Sequence, residues 1–137
     1  MKLFLDTEFN GFGGELISMG IYAEDGKHFY EVLGCSNPSN WVAENVIKKL
    51  DKPAVSIDRF RSVLCNFLNK FKSVEIVADW AEDIKHFCDV IQDGKGGMMP
   101  FSKIKIEIIV GLKISSENPH NALSDAIALK DAYYANL

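Results

Sequence analysis

The chain has 137 residues, of which 47% are hydrophobic and 25% charged, so its length suits one domain with a substantial core. A net charge of −4 argues against a basic protein that coats nucleic acid, but not against an enzyme whose acidic residues bind metal ions. No apolar run approaches the ~20 residues of a membrane-spanning helix, and the first residues do not have the pattern of a signal peptide. The three cysteines, Cys35, Cys65 and Cys88, show no zinc or disulfide spacing. We therefore expect a cytoplasmic protein with reduced thiols and no membrane partner.

The first predicted strand ends in two acidic residues. Residues 3–5 are apolar on both faces, which is typical of a central strand covered on both sides. Because side chains alternate along a strand, Asp6 and Glu8 point to the same face. Two carboxylates this close repel each other unless one is protonated or a divalent cation binds between them. Oxygen ligands favour Mg²⁺ or Mn²⁺, although a strand ending in solvated acids fits this stretch equally well.

The next two predicted strands cover residues 15–23 and 28–33. They are joined at Asp25-Gly26, a dipeptide typical of tight hairpins, so the first three strands should form an antiparallel meander. Two later strands are predicted at residues 74–78 and 104–112, where β-branched residues are frequent.

The helices are predicted from hydrophobic periodicity and capping residues. They cover residues 41–50, 56–71, 79–91 and 122–134. Ser39 or Asn40 can cap the first helix, and Asp79 is the predicted N-cap of the third. Three strands followed by helices alternating with two further strands predict an α/β fold, in which helices flank one five-stranded mixed sheet.

Acidic residues follow the predicted strands at three places in the sequence. Asp6 and Glu8 follow the first strand, Asp79 and Asp83 follow the fourth, and Asp125 lies at the start of the last helix. Ligands bind at the carboxyl ends of the strands in open α/β sheets, so we expect these groups to meet at that edge.

A histidine precedes the last of these acids by five residues. On one continuous helix His120 and Asp125 would lie about 140° apart. They can share a site if His120 lies in the loop before the helix and Asp125 in its first turn. Pro119 favours this arrangement, because the residue before a proline avoids helical geometry.

Three segments in this order resemble the motifs of the DEDDh branch of the 3'-5' exonuclease superfamily, which includes oligoribonuclease and RNase T. The segments are Asp6-Thr7-Glu8, residues 77–83 and residues 120–126. The resemblance spans residues 4–134 and is greatest to the compact exoribonuclease-like members of bacteria and phages. It implies a ribonuclease-H-like fold and a single 3'-5' exonuclease domain over residues 1–137.

The resemblance also implies the metal ligands and the general base. The implied ligands are Asp6, Glu8, Asp83 and Asp125, which would bind two Mg²⁺ or Mn²⁺ ions, and the implied base is His120. One departure lies in the second motif, where the family carries an asparagine and an aromatic residue. This chain has Asp79 and Glu82 there. We expect Asp83 to be the ligand and Asp79 a capping or outer-sphere residue, and the opposite assignment stays open.

The implied reaction is hydrolysis of phosphodiester bonds from the 3' end of short RNA or single-stranded DNA, with RNA favoured and 5'-nucleoside monophosphates as products. The residues implied to contact the substrate are Thr7, Phe9, Asn10 and Trp80. Phe9 or Phe12 could stack on a base, although core packing is the commoner role of such residues. Trp41 is interpreted as a packing residue. A homodimer is a further expectation, because many members of the family are dimers.

Two other functions compete with the exonuclease. The first is a ribonuclease-H-like endonuclease that uses the same acids, and the five-residue spacing of His120 and Asp125 argues against it. The second is a catalytically silent binding module on the same fold, which the presence of all four acids and the histidine does not favour.

Overall fold

The computed structural model describes residues 1–101 and 103–137. The strands are β1 (Lys2–Phe9), β2 (Leu16–Ala23), β3 (His28–Val32), β4 (Val74–Ala78) and β5 (Ile104–Ile108). The helices are α1 (Asn40–Asn45), α2 (Ile57–Leu68), α3 (Ala81–Val90) and α4 (Ala122–Ala135), and a short 3₁₀ helix follows α1 at Ile47–Lys49. In the described part of the chain no helix is both long and apolar enough to cross a bilayer.

The strands form one five-stranded sheet in the order β3-β2-β1-β4-β5. β1 pairs with β2, and β2 with β3, in antiparallel fashion, whereas β4 is parallel to both β1 and β5. The predicted α/β fold with a mixed sheet and an antiparallel meander is therefore confirmed.

The centre of the sheet is buried on both faces, as the composition of β1 predicts. Leu3 and Leu5 belong to the main core, which also contains residues of α2 and α3. Phe4 points to the other face, where it packs with Val77 and with Leu129 of α4. Because side chains alternate along β1, Asp6 and Glu8 point to the same face as Phe4, on the α4 side, and Thr7 points to the face of the main core.

α4 lies close to the sheet because β2 carries a glycine beneath the start of the helix. A Cβ atom on Gly20 would lie 2.5 Å from backbone atoms of Ala122 and Leu123, which is a steric clash. Gly20 also pairs with Asp6 across β1 and β2. The glycine therefore lets the first turn of α4, which contains Asp125, approach the acidic end of β1.

The predicted helix over residues 41–50 is interrupted. Ser39 caps α1 by accepting a hydrogen bond from the Val42 amide, but α1 ends at Asn45. Val46 has a φ of −112°, far from the helical value of about −63°. Its side chain is buried against Ile17 and Val42, so tertiary packing holds this residue out of the regular helix.

Three other element ends differ from the prediction by more than one residue. α3 begins at Ala81 after an extended Trp80 that makes no side-chain cap, so the predicted N-cap at Asp79 is wrong. α2 ends at Leu68 instead of residue 71. β5 ends at Ile108 instead of residue 112, because its partner β4 offers only five residues for pairing.

Candidate active site

Six side chains converge at the carboxyl end of β1. Asp6, Asp79 and Asp83 form one group, and Glu8, His120 and Asp125 form a second. Within each group, one potential ligand atom from every residue lies within 4.8 Å of the others. The structure thus brings together all five residues that sequence analysis assigned to catalysis, together with the open alternative Asp79.

Burial and mutual repulsion raise the pKa values of the acids above their usual range. The pKa of Glu8 rises to about 8, mainly through burial and then through the negative charge of Asp125. Burial also raises the pKa of Asp6 well above its usual value, and the charges of Asp83 and Glu8 add to the effect. By itself, therefore, the protein disfavours the fully ionised form of this cluster near neutral pH.

The cluster has the properties of a cation site. The Oδ2 atom of Asp6 is buried and has no hydrogen-bond partner among the described residues. A buried carboxylate oxygen without a donor is costly, and a bound cation would satisfy it and offset the repulsion. The donor set consists of carboxylate oxygens with one imidazole, which fits Mg²⁺ or Mn²⁺.

Asp83 reaches the cluster from α3 and is held by β1. Its Oδ1 atom accepts hydrogen bonds from the Thr7 amide, at 3.2 Å, and from the Thr7 hydroxyl, at 2.6 Å. Burial raises the pKa of Asp83 and these two hydrogen bonds lower it. The net result is a pKa of about 7, above the usual value of this group. Thr7 is itself buried, and its hydroxyl orients Asp83. The residue also borders an apolar cavity with Glu8 and Phe9, so its predicted substrate contact stays a prediction.

Asp79 lies beside the acids instead of capping α3. With Asp6, His120 and Asp125 it lines a cavity of about 240 Å³. Burial raises its pKa, and the charge of Asp125 contributes to the rise. Asp79 and Asp83 therefore both lie close to Asp6, in the same group of three acids. They differ in that Thr7 orients only Asp83.

His120 lies in the loop before α4, which is the placement that its spacing from Asp125 predicts. The N-cap of α4 is Asn121, whose side chain accepts a hydrogen bond from the Ser124 amide. The His120 backbone has a φ of +69°, which is uncommon for a residue with a side chain. Its amide donates to Asp125 Oδ2 at 3.0 Å, so Asp125 fixes the backbone that carries the imidazole.

Trp41 is a site residue that sequence analysis interpreted as core packing. Its side chain is 56% exposed and meets the His120 ring edge-on, with ring centroids 5.0 Å apart. Together with Phe9 and Phe12, it lines a mainly apolar cavity of 430 Å³ that begins at Glu8. The helical pattern held a signal for this role, because Trp41 is not on the face that buries Val42 and Val46.

The other predicted substrate contacts have different surroundings. Phe9 packs against His86 with ring centroids 5.1 Å apart and ring planes inclined by 31°, and it also borders the apolar cavity. Asn10 accepts a hydrogen bond from the Ser39 amide and donates one to the Asn37 carbonyl, so it ties the end of β1 to the loop before α1. Trp80 is 52% exposed next to Asp79.

Part of the sequence is similar to known nucleases. Two proteins from strains of Mycobacterium tuberculosis, each named 3'-5' exoribonuclease, are 38% identical to this chain over 80 residues. The match covers 55% of this chain and 48% of each relative, so the chain spans about half the length of the curated relatives it matches. No family model matches the sequence.

Proposed function

We propose that this protein is a metal-dependent 3'-5' exonuclease that shortens RNA and releases 5'-nucleoside monophosphates. One observation carries the proposal: a buried, unpartnered Asp6 oxygen lies among further acids, next to a histidine held against Asp125. The names of the two partial relatives support this activity and favour RNA over DNA as substrate. The mixed sheet, with its antiparallel meander and two parallel strands, supports a ribonuclease-H-like fold.

Four carboxylates would hold the cations. Asp6, Glu8, Asp83 and Asp125 would bind two Mg²⁺ or Mn²⁺ ions, and Asp79 would act from outside the ligand set. When bound, such ions neutralise the charge of the scissile phosphate and lower the pKa of a bound water. Thr7 orients Asp83 for this role, and the His120 amide orients Asp125.

His120 would act as the general base. Its imidazole is near Glu8 and Asp125 and borders the cavity that contains Asp6 and Asp79. A histidine that is neutral near pH 7 can take the proton of the attacking water on a ring nitrogen. The edge contact with Trp41 limits how far the His120 ring can move. It therefore fixes the position of the general base relative to the apolar cavity.

The apolar cavity would bind the base of the 3'-terminal nucleotide. Trp41 and Phe12 are exposed aromatic residues that line it, and Glu8 of the acidic cluster lines it as well. Stacking on aromatic rings tolerates any base, which suits an enzyme that removes successive nucleotides. A base held there would bring the adjacent phosphate to the acidic cluster.

A labelled-strand assay tests the proposal. Purified protein is incubated with 5'-labelled RNA, and with single-stranded DNA of the same sequence, in Mn²⁺, Mg²⁺ or EDTA. We expect a ladder that shortens from the 3' end, faster on RNA, and that EDTA abolishes. Asp6→Asn and Asp125→Asn should each reduce the rate by about 100-fold or more, since they remove direct ligands. Asp131→Asn, an exposed acid on α4, is the matched control and should retain activity.

The same assay separates the competing functions. Cleavage of a circular RNA of the same composition would contradict the exonuclease and favour the endonuclease. A protein that binds Mn²⁺ and single-stranded RNA but shortens neither strand would be a binding module. Activity that persists in Asp6→Asn would show that a contaminant is responsible.

A further inference from the structure

A second cavity lies away from the acidic cluster. It has a volume of about 580 Å³ and is bounded by α2, by α3 and by the Gly13-Gly14 turn between β1 and β2. Its walls belong to the side of the sheet that carries the main core, whereas α4 covers the other side. Neither His120 nor any of the acids of the candidate active site lines it.

Two buried polar atoms without partners belong to residues that line this cavity. They are Arg61 Nε and His86 Nε2, and the described residues provide a hydrogen-bond partner for neither. The His86 side chain is only 4% exposed, and its nearest carboxylate oxygen, from Glu82, is 3.7 Å away. Buried polar groups in native proteins are normally satisfied, so two unsatisfied ones in a common cavity indicate a ligand that accepts hydrogen bonds.

The charges around the cavity favour an anion. Among residues 1–101 and 103–137, no carboxylate lies within the 4.0 Å of Arg61 that an ion pair requires. Two cations, Arg61 and Lys85, and two carboxylates, Glu15 and Asp89, line the wall. Asp89 pairs with Lys85 and Glu15 accepts a bond from the Cys35 thiol, so Arg61 is the cation of this wall that no carboxylate pairs with, and a guanidinium binds phosphate oxygens in a well-defined geometry.

Part of the remaining wall is apolar, and the volume suits a small organic molecule. Leu16, Leu33, Val55 and Val90 face the cavity. Pockets for such molecules have volumes of roughly 300–1,000 Å³ and combine an apolar lining with a few polar groups. The ligand therefore carries an anionic end, for Arg61 and His86, and a less polar body.

We propose that this cavity binds a nucleoside 5'-monophosphate, with the phosphate on Arg61 and His86 and the nucleoside on the apolar wall. The anion site follows from the cavity alone, whereas the choice of a nucleotide rests on the proposed function, whose product it is. The site also contacts the end of β1: the His86 ring packs against Phe9, and Glu82 accepts a hydrogen bond from the Gly13 amide. Product bound there would adjoin the residues that flank Glu8 and Asp83.

Calorimetry in EDTA tests the proposal with the full chain. Without cations the acidic cluster repels phosphate, so the part of AMP binding in EDTA that depends on Arg61 reports on the second cavity. We expect AMP to bind and adenosine to bind about tenfold more weakly, because it lacks the charge-assisted bonds. Arg61→Met should also weaken AMP binding by about tenfold. Arg59→Met, the same change two residues earlier on α2 and outside this cavity, should leave binding unchanged.

Histidine resonances give a second measurement that does not depend on the folding of Arg61→Met. The chain has three histidines, so the imidazole signal of His86 can be assigned with single variants of the other two. AMP in EDTA should shift the His86 signal and leave that of His28 in place. A 5'-phosphorylated trinucleotide that also shifts His86 would identify a strand end as the source of the phosphate, and AMP alone would identify free product.

Three results would overturn the site: no AMP binding by wild type at millimolar concentration, equal binding of AMP and adenosine, or unchanged AMP binding by a folded Arg61→Met. These outcomes are separate from those of the nuclease assay. Loss of the RNA ladder would contradict the exonuclease and leave the AMP result in EDTA unaffected.

Discussion

Trp41 is an exposed aromatic residue that contacts His120, the proposed general base. Its indole meets the His120 ring and forms one wall of the apolar cavity next to Glu8. Stacking on one base contributes roughly 1–3 kcal/mol, so Trp41→Ala should raise the KM for a short RNA by about tenfold or more. Trp41→Phe, which keeps an aromatic face for stacking, is the matched control. Initial-rate kinetics with both variants measure the difference, and equal effects would contradict the assignment.

Thr7 is a second residue whose role depends on one contact. Its hydroxyl donates to Asp83 at 2.6 Å and lowers the pKa that burial raises. Thr7→Val keeps the shape and removes the donor, so the pKa of Asp83 should rise further above 7 and Mn²⁺ should bind about tenfold more weakly. The pH at which Mn²⁺ binding reaches half of its maximum should move upward. Thr7→Ser, which keeps the hydroxyl, should behave like wild type in the same titration, and a Thr7→Val protein with wild-type affinity would refute the role.

The docking of α4 on β2 depends on Gly20. A methyl group there would overlap backbone atoms of Ala122 and Leu123, which cannot move without displacing the helix. We expect Gly20→Ala to lower the free energy of unfolding by about 2 kcal/mol or more and to impair the nuclease, because His120 and Asp125 move with α4. Gly11→Ala is the control: its φ is +73°, but no atom lies within 4 Å, so only the backbone term of about 1 kcal/mol applies.

Urea denaturation of the two glycine variants measures this difference. Gly20→Ala should be the less stable protein. A Gly20→Ala protein as stable as Gly11→Ala would show that α4 does not need this close approach to the sheet.

Without metal, the stability of the whole molecule should fall as pH rises, and bound metal should reverse this dependence. The pKa of Glu8, about 8, and that of Asp83, about 7, exceed the unfolded values of 4.5 and 3.8. At a pH between the unfolded and the folded pKa of either group, the folded state binds more protons than the unfolded state. The free energy of unfolding therefore falls as pH rises through this window. Without metal, the midpoint of thermal unfolding should drop by several degrees between pH 5 and pH 8.

Mn²⁺ should reverse this trend, because the cation binds the ionised carboxylates of the folded state. The stabilisation by Mn²⁺ should be small at pH 5 and largest near pH 8. Thermal scans at fixed Mn²⁺ across this range measure it. Asp6→Asn, which removes one charge from the cluster, should flatten the pH dependence of the metal-free protein. A midpoint that rises with pH in the absence of metal would contradict these pKa shifts.

Local patterns were enough to predict the framework of this protein. Alternation along β1 placed Asp6 and Glu8 on one face, and the order of strands and helices predicted the mixed sheet. The proline before His120 correctly indicated a loop ahead of α4. These features depend on residues close together in sequence, whose geometry is set by backbone periodicity and by local steric limits.

Tertiary structure decided the features that depend on distant residues. Thr7 and Asp83 are 76 positions apart, so no local pattern could show that the threonine holds the aspartate. The same holds for Asp79, where a good capping sequence was overridden because its side chain lies with the acids. Trp41 meets His120, and Arg61 and His86 meet around one cavity, only because separate helices pack on the sheet. The sequence by itself thus determined the secondary structure and the set of acids, whereas packing decided which atoms are left for a ligand, since that depends on every neighbour in space.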